Sequence, residues 1–217
     1  MTLSDLGFRD YESLKNLDIS GTEMFAFKSS WFTRKSIEVL NASGNLLKAL
    51  RKDDTKFFTQ LRIFNASFNE IKMLETGTFL EAKKLEIISL SHNQLTNPTF
   101  ENLDNLKQLY LKGNSITMVN WINLIENKFS DWLTIQVRPI SYFKLPKLED
   151  LNLAENDIAA IGDRSFATLE SLKYLNLSNN KLPHIGPNFF TGASRTKLEE
   201  VDFSFNLITI VYQMSLQ

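Results

Sequence analysis

Apolar residues recur along this chain at fixed positions within a repeated phrase. In the eleven-residue phrase 148–158, apolar residues occupy positions 1, 4, 6 and 11, and Asn occupies position 9; the phrase 172–182 repeats this pattern 24 residues later. Positions 4 and 6 are two residues apart, which is the period of a β-strand with one buried face. The phrase therefore predicts a short strand that recurs along the chain.

Eight copies of this phrase can be placed on the sequence. They start at Leu14, Ile37, Leu61, Leu85, Leu106, Leu148, Leu172 and Leu198. Successive starts are 21 to 26 residues apart, except for one gap of 42 residues after Leu106. The long gap predicts a ninth, degenerate repeat that starts near residue 130, with Leu133 and Ile135 in its strand and Arg138 in place of Asn. We therefore expect residues 1–217 to form a single domain of about nine repeats.

The array resembles the extracellular "typical" class of the leucine-rich repeat family, in which a repeat has about 24 residues. The resemblance covers nearly the whole chain and includes an aromatic residue six positions before the next repeat, as at Phe79, Phe100 and Phe166. It implies an α/β solenoid shaped as a curved horseshoe. A parallel β-sheet would form the concave face, and short helices or irregular segments the convex face.

The asparagine at position 9 is expected to hold neighbouring repeats together. Where the chain turns after each strand, backbone groups lose their partners, and a buried amide can satisfy both donors and acceptors. The expected ladder is Asn45, Asn69, Asn93, Asn114, Asn156, Asn180 and Asn206. Thr22 stands at this position in the first repeat and predicts a weaker rung. Arg138 predicts an outward bulge, because a guanidinium accepts no hydrogen bond.

Apolar residues three and four positions apart predict a further element just before the degenerate repeat. They are Trp121, Leu124, Ile125 and Phe129. This spacing is typical of a helix of about three turns with one apolar face. We interpret it as a convex-side helix that packs against the flank of the solenoid.

Composition argues against several classes of function. The chain has 24 Lys and Arg against 25 Asp and Glu, a net charge of -1, so we expect no nucleic-acid partner and no contact with a membrane surface. It has no cysteine, and no apolar run reaches the roughly 18 residues of a membrane span. Its two histidines, His92 and His184, lie nearly four repeats apart. We therefore expect no catalytic residues, no metal and no cofactor.

Outward side chains on the concave strands are the candidate binding residues, because large apolar and aromatic residues are common anchors in protein interfaces. The candidates are Ile63, Phe68, Ile87, His92, Tyr110, Trp132 and Tyr174. For the residues at position 3, an alternative stays open: a side chain there can be half-buried between neighbouring strands. Curvature would gather the whole set into one extended surface.

Charged residues and glycosylation sequences are predicted on the same face. An acidic cluster near one end comprises Glu149, Asp150, Glu155, Asp157, Glu199, Glu200 and Asp202, which we interpret as a solvated surface. Asn41, Asn65 and Asn176 each begin an Asn-X-Ser sequence and are candidate glycosylation sites. Roughly three such sequences are expected by chance in a chain of this composition, so they are compatible with secretion without establishing it.

Two functions are consistent with these features. The first is a non-catalytic recognition module, similar to the ectodomains of Toll-type receptors and of immune or adhesion proteins, that binds a protein or microbial ligand on its concave face. It would be extracellular or on the cell surface. The second is a cytoplasmic adaptor that scaffolds an enzyme or signalling partner, which the lack of cysteine and of a signal sequence favours. The repeats begin and end in mid-pattern, so we expect a fragment without its caps; homo- or hetero-dimerisation is left open.

Overall fold

The computed structural model describes residues 11–27, 36–100, 102–119, 145–162, 165–186, 189–190 and 197–212. In chain order the elements are β1 (Asn16–Asp18), β2 (Val39–Asn41), β3 (Ala49–Leu50), α1 (Lys52–Thr55), β4 (Ile63–Asn65), β5 (Met73–Leu74), β6 (Ile87–Ser89), β7 (Gln108–Tyr110), β8 (Met118–Val119), β9 (Asp150–Asn152), β10 (Ala160–Ile161), β11 (Tyr174–Asn176), β12 (His184–Ile185), β13 (Glu200–Asp202) and β14 (Ile210–Val211). Each repeat thus contributes one three-residue strand, and several contribute a second strand of two residues.

The three-residue strands form one parallel sheet in the order β1-β2-β4-β6-β7-β9-β11-β13. Every strand occupies positions 3 to 5 of its repeat, and equivalent positions lie side by side: Leu40 opposite Phe64, and Phe64 opposite Ile88. From β1 to β11 the middle residue is buried while its two neighbours are more exposed. The predicted solenoid with a parallel sheet is confirmed.

A second, shorter set of strands lies after the asparagine turn. It forms three separate pairs, β3 with β5, β8 with β10, and β12 with β14. The repeat that starts at Leu85 has only 21 residues and contributes no strand to this set. The connections between repeats are otherwise irregular, and α1, with four residues, is the one helix in the described part of the chain.

The core is a single column of apolar side chains between the sheet and the opposite connections. Residues at positions 1, 4, 6 and 11 are buried in nearly every repeat, as at Leu148, Leu151, Leu153 and Ile158. The aromatic residues of the connections stack on one another along the column. The rings of Phe79 and Phe100, for example, lie nearly parallel with their centroids 6.5 Å apart.

The position-9 asparagines link each repeat to the one before it. Asn69 illustrates the pattern: its Nδ2 donates to the carbonyl oxygens of Ala42 and Ala66, at 3.0 and 3.1 Å, and its Oδ1 accepts from the N–H of Leu47 at 3.0 Å. Equivalent bonds are made by Asn45, Asn93, Asn114, Asn156, Asn180 and Asn206. Thr22 has only a hydroxyl, which lies within 3.0 Å of Asn45 Oδ1. The ladder therefore begins with its full set of bonds at Asn45.

β7 and β9, the fifth and sixth strands of the eight-stranded sheet, are direct neighbours although their repeats start 42 residues apart. β7 pairs with β6 on one edge and with β9 on the other. The N–H of Ile116 also donates to Asn156 Oδ1, so the ladder continues across the junction. A strand has only two edges, so a ninth strand cannot lie here, and the prediction that the degenerate repeat fills this place is wrong. The residues predicted for it, its bulge and the preceding helix all lie within 120–144, outside the described residues.

Candidate ligand-binding face

The surface to examine is the side of the eight-stranded sheet that faces away from the core, which we call the open face. It carries the outward side chains at positions 2, 3, 5, 7, 8 and 10, and it corresponds to the concave face predicted from the sequence. In its first half, Val39, Ile63 and Ile87 lie side by side at position 3 and are half-buried. They form an apolar stripe whose burial matches the alternative that was left open for this position.

Beside this stripe, two aromatic side chains stack on each other. The rings of Phe68 and His92 are 4.5 Å apart between centroids, with 15° between their planes. Phe68 is 62% exposed, so most of its ring remains available to a partner. The structure thus brings four of the predicted binding residues together on two neighbouring repeats, β4 and β6 with the turns that follow them.

Both residues have a backbone conformation that side chains usually avoid. Phe68 has φ 56° and His92 has φ 54°, in the left-handed region that favours glycine. A bulky residue held there costs about 1–3 kcal/mol, and such residues are concentrated at functional sites. Position 8 has the same conformation in every described repeat, and glycine fills it at Gly21, Gly44 and Gly113. Glu155, Asn179 and Phe205 share this conformation, so the turn does not require an aromatic residue at 68 or 92.

Gly113, in the next repeat, leaves space for the His92 side chain. A Cβ atom at this position would lie 2.6 Å from His92 Nδ1, closer than side-chain atoms approach one another. At Gly44, on the other side of the pair, the nearest atom would be 3.7 Å away. The imidazole therefore occupies space that only a glycine at 113 leaves open.

In the second half of the open face, tyrosines bond to carboxylates on adjacent strands. The Tyr110 hydroxyl donates to Asp150 Oδ2 at 2.9 Å, and the Tyr174 hydroxyl donates to Glu199 Oε2 at 2.9 Å. Burial, and then the bond to Asp150, raise the pKa of Tyr110 to about 12. The bond to Glu199 is the main cause that raises the pKa of Tyr174. Both phenols therefore remain neutral hydrogen-bond donors throughout the physiological pH range.

The tyrosines line a shallow depression of about 260 Å³ together with Asp150, Glu200 and Asp202. Most of its lining residues carry a polar group, in contrast to the apolar stripe of the first half. Asp202 accepts from the backbone N–H of Ser204 at 2.8 Å, and bonds from Ser204 hold its pKa below the usual range.

Three members of the predicted acidic cluster are neutralised by lysines. Glu149 pairs with Lys173 at 2.9 Å, Glu155 with Lys112 at 3.1 Å, and Asp157 with Lys181 at 2.6 Å. Such exposed pairs contribute about 0–1 kcal/mol each, because water screens them. They support the interpretation of the cluster as a solvated surface.

A row of alternating charges crosses the sheet at position 2. In spatial order it reads Lys15, Glu38, Arg62, Glu86, Lys107, Glu149, Lys173 and Glu199. Four ion pairs link its neighbours: Lys15–Glu38 at 2.9 Å, Arg62–Glu86 at 2.7 Å, Lys107–Glu86 at 3.0 Å and Lys173–Glu149 at 2.9 Å. The sign alternates without a break from Lys107 to Glu149. The alternation is visible in the sequence, but the pairing of β7 with β9 is what makes Lys107 and Glu149 neighbours in this row.

The three candidate glycosylation sites lie at position 5, at the ends of β2, β4 and β11. The side-chain oxygens of Asn41, Asn65 and Asn176 accept hydrogen bonds from the backbone N–H two residues later. Asn41 Nδ2, the atom that would carry a glycan, also donates to Asp18 Oδ2 at 3.0 Å. All three are half-buried in the central row of the open face.

The predicted binding residues thus fall into two groups. Ile63, Phe68, Ile87 and His92 form one contiguous group, whereas Tyr110 and Tyr174 lie on strands separated by β9. Trp132 lies outside the described residues. Sequence reasoning missed the requirement for glycine at 113 and the carboxylate partners of the two tyrosines, because both depend on contacts between repeats.

The described part of the chain contains neither a metal-binding cluster nor a membrane-spanning helix. Among the described residues, no group of three His, Cys, Asp or Glu side chains could hold a metal ion. No helix within those ranges is long and apolar enough to cross a membrane.

Comparisons with known proteins agree with this architecture. A family model described as leucine rich repeat matches residues 59–116 and 146–208, more than half of the chain. Toll-like receptor 3 of Boselaphus tragocamelus is 31% identical over an alignment of 190 residues that covers 77% of this chain and 20% of that receptor. The chain thus spans about a fifth of the length of this relative.

Two solved structures share the fold. In the Toll–Spatzle complex from Drosophila, the matched structure has a TM-score of 0.65 and 20% identity and covers 82% of this chain and 23% of that chain. In the TLR13–ssRNA13 complex, the match has a TM-score of 0.60 and 22% identity over 88% of this chain and 28% of that chain. At these identities the likeness shows the fold alone.

Proposed function

The chain belongs to the leucine-rich repeat family, and we propose that it is a non-catalytic recognition module that binds a protein ligand through its open face. In this proposal the module is part of an extracellular or cell-surface receptor of the innate immune or adhesion type. Receptors are among its relatives, which supports the general role. The ligand and the binding face are the parts that require a test.

The observation that carries the proposal is the stacked pair of Phe68 and His92. Each residue adopts a conformation that costs stability, and Phe68 remains 62% exposed, so neither the fold nor the core accounts for the pair. Rigid aromatic side chains are frequent energetic centres of protein interfaces. The half-buried stripe of Val39, Ile63 and Ile87 beside them would extend this centre as an apolar floor.

The polar second half of the face would supply the rim of the interface. Interfaces commonly combine an apolar centre with a polar surround that retains water and hydrogen bonds. The hydroxyls of Tyr110 and Tyr174 already donate to carboxylates, and the acceptors beside them favour partner groups that donate hydrogen bonds. A protein ligand with an apolar patch bordered by amides or cations fits this arrangement.

The test compares a variant that lacks the aromatic pair with a control variant that lacks an exposed phenylalanine elsewhere. Wild-type chain, the Phe68→Ala variant with His92→Ala, and a control with Phe25→Ala are immobilised and incubated with proteins secreted by cells of the source organism. Phe25 is 75% exposed and lies at position 12, away from the open face. Bound proteins are identified by mass spectrometry, and their dissociation constants are measured.

We expect a protein that binds the wild type and the Phe25→Ala control alike and binds the double variant at least thirtyfold more weakly, the equivalent of about 2 kcal/mol. Equal binding to all three would contradict the role of the pair. A single-stranded RNA oligonucleotide is included, because one structural neighbour was solved with such a ligand. Preference for RNA over every secreted protein would reject the proposed ligand class.

The alternative, a cytoplasmic adaptor, differs in its glycosylation. Expression of the gene product in its own cells, followed by glycosidase treatment, should shift the mobility if Asn41, Asn65 or Asn176 carries a glycan. Substituting these three residues with Gln should abolish the shift. Absence of any shift in the wild type would favour the adaptor.

A further inference from the structure

A second candidate site lies where the strands of the middle repeats begin, and it includes Arg62, Glu86 and Lys107 at position 2 of the open face. Here a depression of about 280 Å³ is lined by Arg62, Lys84, Glu86, Asn105, Lys107 and Lys147. Four of these six side chains are cations and one is an anion, in a chain whose net charge is only -1. We call this surface the basic track. None of the ligand-binding residues predicted from the sequence belongs to it.

Glu86 holds two of the cations in place. Its carboxylate bonds to Arg62 Nε at 2.7 Å and to Lys107 Nζ at 3.0 Å, and these bonds lower the pKa of Glu86 to about 2. One negative charge is thus shared between two positive charges. Arg62 uses only its Nε atom in this pair, so the terminal nitrogens of its guanidinium make no bond to Glu86.

The other two cations are oriented by neutral partners. Lys84 Nζ donates to the side-chain oxygen of Gln60, and Lys147 Nζ donates to Asn105 Oδ1 at 2.7 Å. An amide oxygen positions an ammonium group without cancelling its charge. Nearby Glu38 and Glu149 are already paired with Lys15 and Lys173. The depression therefore retains an excess of positive charge.

One cation precedes each of four neighbouring strands of the sheet, β4, β6, β7 and β9. Arg62 and Lys107 lie at position 2, one residue before β4 and β7, and Lys84 and Lys147 lie three residues before β6 and β9. Adjacent strands are about 4.8 Å apart, so the row extends over about 15 Å. The direct pairing of β7 with β9 brings Lys147 into this row. A long, shallow row of this kind suits a linear polyanion better than a compact ligand.

We propose that the basic track binds a sulfated polysaccharide. Sulfate groups carried along a saccharide chain can each meet one cation of the row through charge-assisted hydrogen bonds. Nucleic acids offer a similar charge density, but proteins that bind single strands also stack bases on aromatic side chains. Among the described residues that line the depression, none is aromatic. The chemistry of the lining therefore favours a saccharide backbone over a nucleic acid.

This inference is independent of the ligand proposed for the open face, because neither the Phe68 and His92 pair nor the stripe of Val39, Ile63 and Ile87 contributes a residue to the basic track. The test measures binding of a heparin-derived octasaccharide to the 217-residue chain by calorimetry at several salt concentrations. The track variant carries Lys84→Gln and Lys147→Gln. The matched control carries Lys48→Gln and Lys72→Gln, which remove two exposed lysines at position 12, beyond the strands. Thermal unfolding checks that both variants are folded.

We expect the track variant to bind at least tenfold more weakly than the wild type, since a hydrogen bond to a charged group contributes enough for about a tenfold change. The control should bind within twofold of the wild type, a difference of roughly 0.4 kcal/mol or less. Affinity for the octasaccharide should fall with added salt and should be lost on its chemical desulfation.

Three results would overturn the proposal. Equal weakening in the two variants would mean that the octasaccharide responds only to overall charge. No measurable binding at physiological salt would exclude the site. Tighter binding of a single-stranded oligonucleotide of the same charge, lost in the track variant, would assign the track to nucleic acid instead.

Discussion

The two halves of the open face share one backbone and differ in chemistry. In the first half, the strands present Val39, Ile63 and Ile87, and two neighbouring turns present the stacked rings of Phe68 and His92. At the equivalent position 3, the strands of the second half present Asp150, Tyr174 and Glu200, with phenol hydroxyls bound to carboxylates. Because the core positions and asparagine bonds repeat in both halves, the fold places no demand on these outward residues. The contrast identifies the first half as the better candidate for the centre of an interface.

The largest expected effect is the loss of stability when an asparagine of the ladder is replaced. It tests whether the two halves share one core. Asn69→Ala in the first half and Asn180→Ala in the second should each lower the free energy of unfolding by about 2–4 kcal/mol. Each substitution leaves a buried N–H and two buried carbonyl groups without their side-chain partner. Chemical denaturation measures the loss, and Gln94→Ala, an exposed position, should change it by less than about 0.5 kcal/mol. A loss confined to one half would contradict a shared core.

Glycine substitution tests the space that the aromatic pair occupies. Gly113→Ala should destabilise the chain by about 2–3 kcal/mol, because it adds a clash with His92 to the cost of a left-handed alanine. Gly44→Ala has no such clash and should cost only about 1 kcal/mol. The double variant with His92→Ala should recover the difference. If Gly113→Ala and Gly44→Ala cost the same, the imidazole does not require the glycine.

A third prediction compares the stability gained when backbone strain is relieved at one aromatic residue in each half of the open face. Phe205, at position 8 of the last repeat, has φ 55° and is 80% exposed. Phe205→Gly should stabilise the chain by about 0.5–1 kcal/mol, since glycine adopts this conformation without strain. Phe68→Gly should give a smaller gain or none, because it also removes the stacking with His92, worth about 0.5–1.5 kcal/mol. Equal gains in thermal or chemical unfolding would show that the stack contributes nothing.

The smallest effect concerns the charge row that crosses both halves. The pKa of Glu86 lies at about 2 in the folded chain, below its usual value of 4.5, so its ion pairs stabilise the fold fully above pH 4.5. That contribution is lost as the pH falls from 4.5 toward 2. Glu86→Gln should flatten the dependence of stability on pH in this window. Glu149→Gln should flatten it less, because Glu149 pairs with one lysine rather than two cations.

A stronger response from Glu149→Gln would contradict this ranking. The measurement is the free energy of unfolding at a series of pH values at low salt, where exposed ion pairs have their largest effect. Repeating the series at high salt provides a control, because screening should reduce the difference between the variants and the wild type.

Much of the architecture was predictable, because each repeat contains the apolar and asparagine residues that determine its own strand and turn. The period of two at positions 4 and 6 located all eight sheet strands, and the amide at position 9 located the bonds between repeats. The surface was less predictable. Phe68 and His92 were both candidates, but their stacking and their strain depend on the turn geometry of two repeats. The bond of Tyr110 to Asp150 joins residues 40 positions apart, so no local pattern predicts it.

By itself, the sequence determined the repeat unit, its strand, its buried positions and its asparagine bonds, because these follow from local periodicity and from the need to satisfy each turn. Only the tertiary structure decided which repeats are neighbours. The 42-residue gap suggested an additional repeat, yet β7 lies directly against β9. Adjacency depends on the hydrogen bonds that a strand edge makes across space, and those bonds are independent of the length of chain between the strands. The same adjacency brings Lys147 into the basic track and gives Tyr110 its carboxylate partner.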